Sequence, residues 1–326
     1  MTETESPWYR DLSVGDRAAG RRLDAYLAAR FPDWSRTELA RWVREGAVKS
    51  EDRTLKPSSR LRLGERIRIH IPGLAPTSAP PPLPPILYED ERLLVLDKPA
   101  GLLCHPAGDR WAYAVIGLAR REYPDAEVDL THRLDRDTSG VLIMTKDMVT
   151  NAFIKQVIKD RKVHKSYQAI ARGIIPWEEE DVRAPIGDRS DSEIRLRQGV
   201  VADGKSARTG VRVLKRVPES GCTLVELTLH TGRTHQIRVH MEHLGFPLLG
   251  DRIYGQPDAV FLRSLAEGED AMLRAAVGFP RQALHCAAMT FPHPDHGSLT
   301  VRAPLAADLQ AIVDGIAPCW PDPPGD

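Results

Sequence analysis

Three hundred and twenty-six residues exceed the roughly 100–200 of one domain, so the chain holds two domains or one large domain with an appendage. With 42% hydrophobic and 28% charged residues the composition is globular, and no stretch reaches the roughly 18 apolar residues a membrane span needs. Forty-five Lys and Arg balance forty-five Asp and Glu, which argues against an indiscriminately basic polyanion binder, and four widely spaced cysteines without C-x-x-C suggest neither a disulfide framework nor a zinc knuckle. Residues 1–6 carry acids where a secretory signal is basic, and no apolar run follows, so a cytoplasmic location is expected. The charge is uneven: residues 16–70 hold fourteen Lys and Arg against eight Asp and Glu, and residues 131–172 hold nine against four. These basic islands read either as a local polyanion footprint or as ordinary surface charge.

Leu23, Tyr26 and Leu27, then Leu39, Trp42 and Val43, recur at helical spacing and predict two short helices. Ser35 ahead of Glu38 reads as a capping box opening the second, and Gly46 ends it. Residues 61–63 and 66–69 alternate and predict a strand pair around Gly64, so the first module is α then β, with arginines on it. From residue 72 to 85, seven of fourteen positions are proline, a composition for a linker rather than a helix or sheet interior. Beyond it, residues 93–96 and 141–144 are buried strands and residues 148–159 a helix. Residues 206–217 and 223–229 alternate as half-buried strands, residues 234–244 form a helix closed by Gly245, and the tail from Pro318 is frayed. Without regular β-α-β alternation the body is a strand-dominated α+β fold, neither a Rossmann fold nor an eightfold barrel, and no solenoid-length repeat occurs.

Several motifs tempt and fail. Gly199-Val-Val-Ala-Asp-Gly204-Lys205-Ser206 matches the phosphate-loop pattern. That loop needs a buried strand before it and a helix after it, whereas polar residues 193–198 precede this one and an alternating segment follows. A nucleotide hydrolase would show tight nucleotide binding and dependence on Lys205. His235, His240 and His243 are spaced five and three apart, unlike zinc helices, and no cluster of carboxylates accompanies them, so no metal is predicted. G-x-S-x-G is absent, which argues against acyl transfer as the chemistry.

The most informative segment is Thr131-His132-Arg133-Leu134-Asp135-Arg136-Asp137-Thr138-Ser139-Gly140, a carboxylate between two arginines ahead of an apolar strand. Neighbouring guanidinium groups favour an ionised Asp135, suited to attack or to charge stabilisation; the competing reading is an Asx turn before a strand. A second segment, Thr231-Gly232-Arg233-Thr234-His235-Gln236-Ile237-Arg238-Val239-His240, places two arginines around a helix N-terminus, where anions bind. An Asp135–Arg238 pair beside a basic channel suits chemistry on a base within a polyanion. Lys165-Ser166-Tyr167-Gln168-Ala169 is a strand presenting one aromatic among basic residues; Tyr167 could stack on a base, or sit half-buried in the sheet.

Together these segments resemble the RluA-type pseudouridine synthases. Further pieces are similar to the same family: Asp97-Lys-Pro-Ala-Gly-Leu-Leu-Cys-His-Pro106, Gly204-Lys-Ser-Ala-Arg-Thr209, Gly250-Asp-x-x-Tyr-Gly255 and Arg281-Gln-Ala-Leu-His285. Gly20-Arg21-Arg22-Leu23-Asp24-Ala25-Tyr26-Leu27, Ser35-Arg36 and Gly46-x-Val48 resemble the RNA-binding module of ribosomal protein S-four. The resemblance implies an α+β fold, mixed and largely antiparallel in its catalytic domain at residues 86–316, preceded by a small α/β-hairpin module at 16–72 and a linker at 73–85, with a tail at 317–326. It implies isomerisation of uridine in structured RNA, foremost large-subunit ribosomal RNA, by flipping the uracil, breaking its glycosidic bond and rejoining the ring through carbon five. No cofactor, metal or membrane is implied, and nothing requires more than a monomer. Asp135 would be the essential aspartate, Tyr167 the aromatic on the uracil, Arg238 the partner of the aspartate, and Arg133 the filler of the vacated stack. RNA contacts are expected from His132, Arg136, Arg233 and His235, and from Arg21, Arg22, Arg36, Arg41 and Arg44 of the first module. Two departures stand out: residues 48–53, Val-Lys-Ser-Glu-Asp-Arg, replace the module's usual valine-asparagine-glycine turn, and Cys104 replaces a small β-branched residue. The alternative is a non-catalytic ribosome-assembly factor, which loss of the aspartate or tyrosine would have favoured.

Overall fold

The computed structural model describes residues 9–15, 18–30, 36–50, 52–70, 80–105, 113–267 and 271–316. The expected cap Ser35, the module boundary at Asp16, residues 71–79 of the proline-rich segment and the tail from residue 317 lie outside the described residues. The chain divides into two compact units, Met1–Leu83 with Leu103–Tyr123, and Pro84–Leu102 with Pro124–Asp326.

The first unit opens with β1 (Tyr9–Ser13), α1 (Leu23–Arg30), α2 (Arg36–Arg44), β2 (Val48–Ser50) and β3 (Arg66–His70). Leu23, Leu27, Leu39, Trp42 and Val43 are buried, as the helical spacing predicts, together with Ile67 and Ile69 of β3. Gly46, at φ +79°, closes α2: its N–H donates to the Val43 carbonyl and that of Ala47 to Trp42, a Schellman ending. The strand pair expected around Gly64 does not form. The buried Glu65 accepts from the Arg62 N–H, from Ser50 and from both arms of Arg53, which folds residues 61–64 into a turn. β3 pairs instead with β1 and β2 in an antiparallel sheet of order β1-β3-β2, so a strand precedes the helices.

Chain order continues with β4 (Ile86–Glu89), β5 (Leu93–Lys98), α3 (Val115–Glu122), β6 (Asp129–Leu130), β7 (Ser139–Thr145), α4 (Met148–Lys159), β8 (His164–Arg172), β9 (Glu179–Val182), β10 (Ile186–Asp188) and β11 (Gln198–Val200). It ends with β12 (Thr209–Val217), β13 (Cys222–Leu229), α5 (Gln236–His243), α6 (Asp258–Glu267), α7 (Ala271–Val277), β14 (Leu284–Pro292), β15 (Ser298–Arg302) and α8 (Ala307–Val313). Of these α3 belongs to the first unit. The second unit is built on a ten-stranded sheet of order β4-β5-β7-β14-β8-β13-β12-β9, with β6 beside β7 and β15 beside β14. Only β7–β14 is parallel among its pairs, so the fold is α+β and largely antiparallel. All seven residues of β7 are buried, as a central strand covered on both faces requires.

Ile170, Leu224, Leu249, Phe279, Leu309 and Ile312 form one core cluster, and Val239 of α5 joins Ile186, Ile253 and Tyr254 in another. The phosphate-loop look-alike is a sheet edge: a Cβ on Gly204 would stand 2.7 Å from the Ile186 backbone, Lys205 bridges Ile186, and strand β12 follows rather than a helix. β12 begins at Thr209 rather than 206, because residues 205–208 are taken up by that bridge and by the bond from Arg208 N–H to Thr231 Oγ1. Likewise α5 begins at Gln236 rather than 234, since His235 has φ +55° and cannot lie within the helix. Among the described residues no helix is long and apolar enough to cross a membrane.

Candidate active site

The loop of residues 131–138 joins β6 to β7 and is pinned at several points. Thr131 Oγ1 donates to the Ile143 carbonyl at 2.8 Å, and His132 Nε2 accepts the Ile143 N–H at 3.1 Å. Burial and nearby Lys165 push the His132 imidazole down to about 3, so it is a neutral brace. Lys98, fully buried, donates to the carbonyls of Pro99, Leu102 and Arg136 at 2.7–2.9 Å and ties the loop to its neighbour. Gly140 has φ +106°, and a Cβ there would stand 2.2 Å from the Cys286 carbonyl, so only glycine lets β7 lie against β14. The held loop buries Leu134 and leaves the Asp135 side chain 43% exposed.

The guanidinium that meets Asp135 comes from α5, not from the flanking Arg136. Arg136 is exposed and pairs with Asp137 at 3.0 Å, a correction to the expectation that both sequence neighbours surround the aspartate. Arg238 places Nη1 3.3 Å from Asp135 Oδ2, while its Nε and Nη2 grip Asp251 at 2.6 and 2.8 Å. Asp251 also accepts the N–H groups of Ile253 and Tyr254, and the Tyr254 ring lies 4.8 Å from the guanidinium carbon. Its predecessor Gly250, at φ +74°, brings the turn so near the Arg281 carbonyl that a Cβ would stand 1.8 Å away. Burial opposes the charge of Arg238, but Asp251 and Asp135 overcome it and raise the group above its ordinary value. Burial likewise opposes ionisation of Asp251, and Arg238 with the two N–H groups outweighs it, holding the carboxyl below its ordinary value. Arg238 is thereby a fixed cation whose Nη1 faces Asp135.

These groups open on a pocket of about 690 Å³, within the roughly 300–1,000 Å³ typical of ligand sites. It brings together Asp135, Tyr167, Arg238, Arg133, His132, Arg233 and His235, and Arg136 is not in its wall. Tyr167 is buried on β8, and strand alternation sets Lys165 on the same face, where burial lowers its pKa. Lys159, Arg161, His164 and His230 add basic groups to the wall. Burial and then Arg238 push His235 down to about 4, so its imidazole is neutral at pH 7. Elsewhere His240 is buried between Thr209 Oγ1 and the Ala184 carbonyl, and His243 is exposed.

In the first unit Arg22 and Arg36 converge on Asp24 at 2.8 and 3.1 Å, and Arg21 is exposed. Arg41 and Arg44 are exposed on α2, and Arg44 lines a groove of about 660 Å³ with Lys49, Arg53 and Lys56. Sequence reasoning gave no role to Lys98, Lys165, Asp251, Tyr254 or Gln282. All stood within the segments that carry the family resemblance, yet no spacing links them to Asp135.

A model described as RNA pseudouridylate synthase matches residues 92–243, and one described as S4 domain matches residues 21–67. The ribosomal large subunit pseudouridine synthase D of Xanthomonas campestris pv. campestris is 38% identical, over 94% of this chain and 92% of its own. The protein of the same name from Neisseria meningitidis is 35% identical, over 93% of this chain and 80% of its own. The chain belongs to the RNA pseudouridylate synthase family. The solved structure of human RNA Pseudouridylate Synthase Domain Containing 1 has a TM-score of 0.56 and 25% identity, spanning 77% of this chain and all of that one. As a pseudouridine synthase with an S4 domain, this protein is an isomerase that acts on RNA. That activity displaces the reading as a non-catalytic assembly factor.

Proposed function

We propose that this pseudouridine synthase isomerises specific uridines of large-subunit ribosomal RNA in the cytoplasm, as a monomer. The domain division we assign is an RNA-binding module at 16–72, a linker at 73–85, a catalytic domain at 86–316 and a tail. The observation that carries the catalytic assignment is the Asp135 carboxylate, held at Oδ2 by Arg238 at 3.3 Å and by Gln282 Nε2 at 3.4 Å while its side chain stays partly exposed in the wall of the pocket. The reading of the substrate is supported by the relatives, which match more than nine-tenths of this chain and are named for the large ribosomal subunit.

Extruding a uridine costs a few kcal/mol of stacking and pairing, which an aromatic platform and an inserted cation offset. Tyr167, on a wall strand, supplies the platform, and Arg133, exposed at the rim, supplies the cation. The C1′–N1 bond breaks, the ring turns, C1′–C5 forms, and the C5 proton leaves while N1 gains one. Atoms and oxidation level are conserved, so the reaction requires no redox partner. Arg233 lines the same cavity, and Arg136 is exposed on the 131–138 loop, both within a basic setting for backbone phosphates, while His235 lines the cavity as a neutral imidazole facing the nucleotide beside Asp135. His132 acts by bracing the loop. Arg21, Arg22, Arg36, Arg41 and Arg44 give the first unit its footprint on RNA.

Pseudouridine mapping of ribosomal RNA from a deletion strain tests the proposal, with complementation by wild type or Asp135→Asn. Signals in large-subunit RNA that vanish and return with wild type alone are expected. Persistence of every large-subunit signal, or loss confined to transfer RNA, would refute the substrate; restoration by Asp135→Asn would refute the role of the aspartate.

A further inference from the structure

Three donors point at the same oxygen of Asp135. Arg238 Nη1 stands 3.3 Å from Oδ2, Gln282 Nε2 3.4 Å and His235 Nε2 3.9 Å, and among the described residues no donor reaches Oδ1. Arg238 is itself held by Asp251, and Gln282 by Thr138 Oγ1 at 2.8 Å. His235 is held differently. It is one of two non-glycine residues with positive φ among the described residues, a strained backbone that the surroundings must impose. Its Nδ1 lies 2.9 Å from the buried Tyr254 hydroxyl, with the rings edge to face.

The proton positions in this chain follow from counting donors. The Tyr254 oxygen accepts the Gln198 N–H at 3.0 Å, and its own O–H has one acceptor within reach among the described residues, His235 Nδ1. A phenol donating to Nδ1 leaves that nitrogen unprotonated, so a neutral imidazole carries its hydrogen on Nε2, the atom facing Asp135. At 3.9 Å the contact is longer than a hydrogen bond, and such contacts shorten when substrate displaces solvent from an active site.

Resting on the assignment of Asp135 as the essential aspartate, we propose that Tyr254 and His235 form a positioning relay that completes the grip on Oδ2, so that Oδ1 is the oxygen presented to the nucleotide. Tyr254 selects the tautomer, the left-handed backbone of His235 aims Nε2, and the carboxylate loses the freedom to rotate. A carboxylate held on one oxygen and open on the other is preorganised for a single trajectory.

The experiment uses the full-length protein labelled with ¹⁵N-histidine. Long-range ¹H–¹⁵N spectra at pH 7 assign the His235 ring by comparison with His235→Gln. An Nε2–H tautomer is expected, becoming a mixture in Tyr254→Phe. Turnover is read as tritium release from 5-tritiated uridine in transcribed large-subunit ribosomal RNA. His235→Ala and Tyr254→Phe each lower kcat about tenfold, the worth of one hydrogen bond, with KM changed less than about twofold. His235→Gln, whose amide donates, recovers most of the loss relative to His235→Ala. An Nδ1–H tautomer, a KM effect without a kcat effect, or glutamine no better than alanine overturns the relay. If His235→Ala does not fold, the spectrum of the wild type and the kinetics of Tyr254→Phe decide. An Asp135→Asn variant that retains activity refutes the underlying assignment instead, whereas an inactive Asp135→Asn beside a fully active His235→Ala refutes only the relay.

Discussion

The two units handle arginine in opposite ways. At Asp24 in the N-terminal unit the carboxylate is buried and its arginines are exposed: the Asp24 side chain is 7% accessible, and its partners Arg22 and Arg36 are 47% and 56%. In the catalytic unit the arginine is buried: Arg238 is 6% accessible, Asp251 is fully buried, and Asp135 is half in solvent. Anchoring an arginine by a buried acid leaves its charge available to a distant phosphate and screened by salt. Burying the arginine between two acids removes it from solvent and turns it into a fixed part of the scaffold that sets the angle of one reactive group. Position in the fold decides whether the same side chain binds or organises.

The sharpest break of that contrast is at the organised end. Asp135→Asn should lower turnover by at least about a thousandfold while leaving RNA affinity within a factor of about two, read by tritium release and filter binding. Equal loss of affinity would mean that the pocket grips RNA through this carboxylate. Next comes Asp251→Asn, which leaves Arg238 buried with half its compensation and should cost about 3–5 kcal/mol in denaturant unfolding. A change below about 1 kcal/mol would show that the pair is more hydrated than its burial indicates.

Acid should separate the units. His132 and His235 are pushed down from 6.5 to about 3 and about 4, so their stabilisation of the catalytic unit is complete above pH 6.5 and is lost as pH falls through 4 and 3. Asp24 and Glu65 are held at about 2 by Arg22 and Arg53, from 3.8 and 4.5, so the N-terminal unit keeps that contribution until pH falls below 4.5 and loses it towards 2. Residue-resolved hydrogen exchange between pH 7 and 4 should show the catalytic unit loosening first. The smallest effect is expected at the surface: Arg44→Ala should change stability by less than about 0.5 kcal/mol and kcat hardly at all. It should lower the slope of log affinity against log salt by about 1. An unchanged slope would take α2 out of the RNA footprint.

Much of this was legible in local pattern. The helices at Leu23–Arg30, Arg36–Arg44 and Met148–Lys159 follow apolar spacing because their buried faces supply the periodicity, and β7 reads as a buried run because both its faces are covered. The failures came where a single side chain overrode the pattern. Residues 61–63 alternate like a strand, yet buried Glu65 collects their turn, and residues 234–235 look helical, yet His235 bends left to face Asp135. The site divides along the same line. Asp135, Tyr167 and Arg238 stood out because they lie in the distinctive segments that carry the family resemblance, whereas Lys98, Asp251, Tyr254 and Gln282 reach the site through contacts with Arg136, Arg238, His235 and Asp135 that no short motif marks.

By itself the sequence determined a globular chain, the order of its modules and the α+β body, which reside in composition and periodicity, and its short contiguous motifs carried the family resemblance that implies an RNA-modifying isomerase. Only the tertiary structure decided that the flanking Arg136 turns away while Arg238 meets Asp135, which acid holds that arginine and which oxygen is left open. Arg238 lies 103 residues from Asp135 and Gln282 lies 147, and such contacts are set by how β7, β14 and α5 pack rather than by any local spacing.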